Sequence, residues 1–314
     1  MGLFFTLISA LGWGLADIFY KKGADELDRL SHLKTAVCVG LTMGIVSIVL
    51  LFTSGGMSLS EIPGNALKYA PASLCYILSM VIGYAGLRYL ELSVISPVQN
   101  ASGAFSAIAM LLWFVLKGKG GDFLGSFSAL DICGTVIIVA GVIALAVAEK
   151  KLEGKTTDKK YKYGAKALIF PLLYCVFDTA GTAADGIILD EDSGTGFDEI
   201  QVLILYGLTF LLAGIVAWIY IFWKTKKPYN PFTKKESPKL IASACEEFGQ
   251  IFYVYAMADN PVIAAPVIAS YCVVSVILSA VFLKERLKKP QYASVVLVIL
   301  GIIMLGISEG LSEI

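Results

Sequence analysis

Ten apolar runs, each of about 18 to 26 residues, divide the chain at roughly 3–20, 33–53, 69–90, 92–116, 130–148, 164–188, 199–223, 238–258, 261–283 and 290–308. A run of that length crosses about 30 Å of hydrocarbon at about 1.5 Å per residue, so each predicts a membrane-spanning helix. The narrowest breaks fall at Glu91 and at Asp259-Asn260, where two runs nearly fuse. Pro97 and Pro261 follow closely, and the charged or amide residues beside them mark tight interfacial turns. The first run lacks a basic leader and ends in Lys21-Lys22, so it is expected to be a spanning helix, not a cleaved signal.

The runs also repeat. Tyr84–Pro97 (YAGLRYLELSVISP) aligns with Tyr253–Pro266 (YVYAMADNPVIAAP), and VAGVIAL of the fifth run aligns with ILGIIML of the tenth. A GKGGDFLGS insert lengthens the loop before the fifth run. ISALGWGLADIFYKKG of the first run lies over IFPLLYCVFDTAGTAADG of the sixth, which superimposes Tyr174 on Trp13 and Asp178 on Asp17. Five crossings per half turn the second copy over, giving an inverted repeat whose functional site lies near the bilayer midplane. The expected architecture is therefore an all-α integral membrane protein of ten transmembrane helices in two inverted five-helix repeats, 1–149 and 164–314. The basic stretch 150–163 would join them as a cytoplasmic linker.

Composition agrees with a membrane protein. The chain is 57% hydrophobic and 16% charged, with mean hydropathy +0.76, against about 45–50% apolar residues in soluble domains. Lys+Arg and Asp+Glu number 25 each, so net charge points to no nucleic acid. The positions of the bases carry the information instead. Twenty-two of the 25 Lys and Arg lie in or beside the loops after odd-numbered runs. The positive-inside rule makes those loops cytoplasmic and puts both termini outside, in a multi-pass protein of the cell membrane. The loop after the sixth run, LDEDSGTGFDE, holds acids and no base, as an external loop can.

Several chemistries are excluded by what the chain lacks. The six cysteines, at 38, 75, 133, 175, 245 and 272, all sit in apolar runs without C-x-x-C spacing and read as small buried hydrophobes. The lone His32 lies in a charged loop, which argues against a His-based metal site or catalytic triad. No phosphate-loop, nucleophile-elbow or zinc-protease motif is present, so no catalytic residue, metal or cofactor is expected.

The candidate chemistry lies in acids set within the apolar runs. An ionised Asp at the bilayer centre costs at least about 2.5 kcal/mol, so an intramembrane carboxyl marks a functional site by default. Asp17 lies about 21 Å along the first helix from the outer face, and Glu246 and Glu247 about 12 Å along the eighth from the inner face. Asp178 falls in the other half of the bilayer, and Asp185 near the outer mouth as an interfacial residue. Trp13 and Tyr174 precede Asp17 and Asp178 by one helical turn. Gln250 and Tyr253 continue the Glu246 face, while Tyr84 and Tyr271 supply further aromatics. Gln99 and Asn100 are read as hydrogen-bonding groups within the bundle. No Lys or Arg lies in the interior of a predicted span, Arg88 near the end of the third being the nearest approach. Phosphates and carboxylates are generally met by such bases. An acidic, aromatic, base-free cavity instead favours a cation held by cation–π contact, or a proton.

With these features the chain resembles the drug/metabolite transporter superfamily, in its EamA-like ten-helix branch. The likeness rests on Trp13-Gly14, on YAGLRYLELSVISPVQ and its counterpart YAMADNPVIAAPV, and on FLKERLKKPQYASVVLVILGIIMLG. It implies an inverted-repeat carrier with a central cavity lined by helices 1, 3, 4, 6, 8 and 9. It also puts Glu285 at an acidic position between helices 9 and 10. Leu116 stands at the first-half counterpart, so Glu285 is expected to be structural. The acidic insert after helix 6 departs from a minimal member.

The expected function is a secondary transporter of a small organic cation or amine, such as a choline-like quaternary ammonium, polyamine or guanidinium compound, working by alternating access with or without a coupling proton. Trp13, Asp17, Tyr84, Tyr174, Asp178, Glu246, Glu247, Gln250, Tyr253 and Tyr271 would form the substrate site. A neutral or zwitterionic metabolite, such as an amino acid or nucleobase, with the acids serving protons alone, is the alternative. A membrane enzyme or assembly factor is disfavoured by the missing motifs. Beyond substrate and lipid, the expected assembly is a monomer or homodimer.

Overall fold

A computed structural model describes residues 2–118, 129–152, 164–190, 195–259, 261–269 and 271–312. Most of the linker 150–163, nearly all of the GKGGDFLGS insert and residues 191–194 of the acidic loop lie outside the described residues. The described chain is helical, without strands. Its α-helices are α1 (Gly2–Gly23), α2 (Ser31–Thr53), α3 (Ile62–Gly86), α4 (Leu92–Leu116), α5 (Ala129–Leu152), α6 (Ile169–Leu189), α7 (Glu199–Thr225), α8 (Ser237–Asp259), α9 (Pro261–Ala269), α10 (Tyr271–Leu278) and α11 (Lys289–Ser312). A 3-10 turn (Gly164–Leu168) leads into α6, and a π turn (Ser279–Leu283) ends α10.

Among the described residues, six segments are long and apolar enough to cross a membrane: Ser31–Thr53, Ile62–Gly86, Leu92–Leu116, Lys166–Leu189, Glu199–Thr225 and Lys289–Ser308. The protein is thus a multi-pass membrane protein. The predicted eighth run, α8, misses that set because Lys239, Glu246 and Glu247 crowd its first half. The predicted ninth run is described as α9 and α10, each below spanning length. The third helix starts seven residues before the predicted 69, because Pro63 in the first turn presets helical φ where no N–H partner is needed.

The helices turn apolar faces outward. On α1, Leu7, Leu11 and Leu15 recur at one helical turn and are exposed, while Ser9, Ala16 and Tyr20 are buried on the opposite side. That pattern suits lipid outside and a polar interior, since lipid is as apolar as leucine and gives helices no hydrophobic reason to associate. Close packing supplies the adhesion instead. The helix α1 lies along α8, α2 along α7, α3 along α6 and α5 along α11, while α4 packs on α6, α9, α10 and α11. Two crossings depend on paired glycines. A Cβ on Gly12 would lie 3.0 Å from both the Cys245 carbonyl oxygen and the Gly249 Cα, and one on Gly40 would lie 2.9 Å from the Gly214 Cα. Backbone here meets backbone.

Polar locks fix the helix ends on the side where basic residues concentrate. Glu285, just past the π turn, accepts the backbone N–H groups of Leu92 and Ser93, both at 2.9 Å, and the Ser93 hydroxyl at 2.8 Å. A carboxylate from one corner of the chain therefore caps the N-terminus of α4, where unpaired N–H groups and the positive end of the helix dipole favour an anion. This is the structural role expected of Glu285. Lys21 Nζ donates to the carbonyls of Leu87 and Leu90 at 2.6 and 2.7 Å, just past the end of α3. Arg88 donates to the carbonyls of Asp25 and Glu26, and Lys235 pairs with Asp25 at 3.0 Å, which ties the α1–α2 loop to the α7–α8 loop.

Two outcomes follow. Glu285→Ala, by leaving two α4 N–H groups without their acceptor, should lower stability in detergent by about 1–2 kcal/mol in thermal unfolding, and Glu285→Gln by less. The Lys235 ammonium beside Asp25 holds its carboxyl below the usual carboxylate range. A lowered folded value means the pair stabilises above about pH 4 and is lost as pH falls through that lowered value. The stability gap between wild type and Lys235→Ala should therefore be present at neutral pH, close on acidification and shrink in high salt.

Candidate functional site

The core of the bundle holds a cavity of about 910 Å³, its open mouth included, walled by residues of α1, α3, α4, α6, α7, α8, α9 and α10. Three carboxyls line it. Asp17 sits on the α1 face that also carries Trp13 and Tyr20, at spacings of four and three residues. Its Oδ2 accepts the hydroxyls of Ser96, at 2.8 Å, and Ser275, at 2.7 Å, which bridges α1 to α4 and α10. Asp178 on α6 accepts the Ser102 hydroxyl at 2.6 Å. Glu246 on α8 accepts the hydroxyls of Tyr20 and Tyr84, the latter at 3.3 Å, on a single oxygen.

Aromatic rings form the walls between these acids. The Trp13 ring lies 5.1 Å from that of Tyr253 and 5.7 Å from that of Tyr271, the second in an edge-on arrangement. Trp13 Nε1 donates to the Glu246 carbonyl at 3.2 Å, which satisfies the half-buried indole. Tyr20 and Tyr84 stack obliquely at 4.8 Å. Tyr76 and Tyr253 share a hydroxyl hydrogen bond at 2.7 Å, and Tyr76 also donates to Thr182 at 3.3 Å.

Among the described residues, neither Lys nor Arg lines this cavity. The bases gather instead around a second, charged recess that includes Lys21, Arg29, Arg88, Glu26, Glu91 and Glu285. The central acids are therefore held by neutral donors. A hydroxyl stabilises a carboxylate less than a guanidinium would and leaves its charge uncompensated.

Nine of the ten predicted site residues line the cavity: Trp13, Asp17, Tyr84, Tyr174, Asp178, Glu246, Gln250, Tyr253 and Tyr271. Glu247 does not. Adjacent residues on a helix point about 100° apart, and with Glu246 inside, Glu247 turns away, still only 5% exposed and with Oε2 lacking a hydrogen-bond partner. Gln250 Nε2 is likewise buried and unpartnered, but within the cavity.

The structure adds lining residues that the sequence reading passed over. Tyr20 continues the Trp13–Asp17 face by one turn, and Tyr76 precedes Tyr84 by two turns, so extending each stripe would have found them. Gln99 and Asn100 line the cavity as well, although Asn100 also bonds back to the Ser96 carbonyl. Tyr206 comes from α7, for which the sequence offered no polar signal. Asp185, expected near the outer mouth, is fully buried within the bundle and accepts the Tyr69 hydroxyl at 2.8 Å.

Residues 194–307 match the EamA-like transporter family, part of the drug/metabolite transporter superfamily. An uncharacterized protein of Methanocaldococcus jannaschii is 28% identical over 144 residues, which span 46% of this chain and 98% of that one. A solved crystal structure superimposes with a TM-score of 0.60 at 12% identity, covering 98% of this chain and 97% of the other, a likeness of fold alone.

The tyrosine pair on Glu246 is testable as a unit. Tyr20→Phe and Tyr84→Phe should each destabilise by about 1–2 kcal/mol, and in a double-mutant cycle with Glu246→Ala each should show a coupling energy of about 0.5–3 kcal/mol in reversible unfolding. Additive effects would mean that the hydroxyls do not act through the carboxyl.

Proposed function

Starting from an EamA-like transporter domain over residues 194–307, we propose that this chain is a secondary transporter of a small organic cation or amine. The observation that carries this reading is the central cavity, where Asp17, Asp178 and Glu246 face aromatic walls with no Lys or Arg among the described lining residues. A guest cation would supply the missing counter-charge. Trp13, Tyr84, Tyr174, Tyr253 and Tyr271 would present ring faces to it, a contact worth up to about 2 kcal/mol when desolvated. Amines, quaternary ammonium and guanidinium compounds fit, whereas a phosphate or carboxylate would meet three like-charged groups and no lining base among the described residues.

We further propose ten crossings in two inverted halves, 1–149 and 164–314, with a cytoplasmic linker at 150–163 and both termini outside, in the cell membrane. Several observations support this. The pairing of α1 with α8 is the counterpart of α3 with α6 once the halves are exchanged, and α2 with α7 and α5 with α11 each map onto themselves. The archaeal relative has about the length of one half. The cavity lies between the proposed repeats, where inverted-repeat carriers bind their substrates.

One observation favours a second reading, in which a neutral or zwitterionic metabolite is the substrate and the acids serve a coupling proton. Gln250 lines the cavity and its buried Nε2 has no hydrogen-bond partner, a spare donor that would suit a guest with an acceptor oxygen.

The readings part in one assay. In proteoliposomes, tetramethylammonium, guanidinium and a polyamine should exchange across the membrane, and Asp178→Asn should weaken their binding at least about tenfold, equal to about 1.4 kcal/mol. Exchange confined to neutral amino acids or nucleobases would remove the cation assignment.

A further inference from the structure

The face of α6 that supplies Asp178 does not end in the cavity. Asp178, Thr182 and Asp185 follow at four and three residues and lie on one stripe. Thr182 still lines the cavity, but Asp185 lies beyond it, with no exposed surface. Its Oδ1 accepts the Tyr69 hydroxyl at 2.8 Å, while its Oδ2 has no hydrogen-bond partner.

The surroundings of Asp185 decide what it can bind. The helix α3 brings Tyr69 and Tyr76, α7 brings Tyr206 and α8 brings Tyr253, while α6 itself carries Asp178 one turn beyond Thr182 and Asp190 at its end. The other packed helices, α4 and α9, contain no ionisable residue. All these partners are hydroxyls or acids. No ammonium or guanidinium among the described residues pairs with Asp185. A metal ion would need several oxygen acceptors, and the described residues gather no group of three acids, cysteines or histidines that could hold one. A buried carboxylate with one oxygen unpaired is costly, and adding a proton removes that cost.

Tyr76, whose hydroxyl lies beside Asp185, leads from it toward the cavity. The Tyr76 hydroxyl bonds both Thr182, at 3.3 Å, and Tyr253, at 2.7 Å, and Tyr76, Thr182 and Tyr253 all line the cavity. We propose that Asp185 is a proton-binding site separate from the carboxyls that hold the guest, joined to them by the Tyr76–Thr182–Tyr253 hydroxyl cluster. The proton bonds to the open Oδ2 and leaves it again to a hydroxyl that passes on its own proton, so O–H bonds are exchanged and no electrons move. The coupling role rests on the transporter reading. The site itself does not.

Infrared difference spectroscopy of the purified protein in lipid, titrated from acid to alkaline pH, tests the site without any substrate. Wild type should show a protonated-carboxyl C=O band that changes with pH and disappears in Asp185→Asn but persists in Asp178→Asn. Tyr69→Phe, which removes one hydroxyl and keeps the ring, should move the pH at which that band appears, and it carries the test if Asp185→Asn does not fold. An unchanged band in both Asp185→Asn and Tyr69→Phe overturns the proposal. In proteoliposomes, a pH gradient should accelerate tetramethylammonium uptake at least severalfold in wild type and not at all in Asp185→Asn. A variant that still responds to the gradient overturns the coupling role. A wild type that moves no tetramethylammonium sinks the cation reading and leaves the spectrum to decide on Asp185.

Discussion

Carboxyl groups set in a lipid-facing bundle without fixed cations are the constraint on which this structure turns. Asp17, Asp178, Asp185 and Glu246 all accept hydrogen bonds from hydroxyls: serines for the first two, tyrosines for the others. A hydroxyl can donate to a charged carboxylate or accept from a neutral carboxyl, so such an environment tolerates either state. An arginine in the same place would have fixed the charge. The choice of partner thus leaves the acids able to respond to whatever enters the cavity.

That polar interior imposes its own packing. Helices that present serine, tyrosine and acid inward cannot rely on hydrophobic collapse, because the leucines on their other faces are already content in lipid. Contact at Gly12 against Gly249 and at Gly40 against Gly214 brings backbones within van der Waals range on two pairs of helices. The interior can then be loose enough for a cavity while the rim stays tight. The bases are displaced from the centre and capture helix-end carbonyls and loop carboxylates, as Lys21 and Lys235 do.

Much of this could be read from the chain itself, for a physical reason. Apolar length and the cost of burying charge in hydrocarbon act locally, so the helices and nine of the ten chosen cavity residues follow from runs and exceptions within them. What escaped depends on neighbours. Asp185 lies near a predicted helix end, and only the approach of Tyr69 and Tyr76 from α3 makes its place an interior one. Glu246 and Glu247 are chemically alike, and which of them faces inward is set by the rotation of α8 against α1. Tyr206 sits in α7, where no acid follows Glu199 to mark a cavity-facing side.

The bond from Glu285 to the start of α4 has a mechanical meaning. The corner between α10 and α11 and the first turn of α4 are welded by three hydrogen bonds that one carboxylate accepts. Since α4 also contributes Gln99, Asn100 and Ser102 to the cavity, any displacement of that corner acts on the cavity wall as a lever, with α4 as its arm. The π turn at Ser279–Leu283 sits directly before this corner, so the irregular backbone there is tied through Glu285 to the wall that α4 builds.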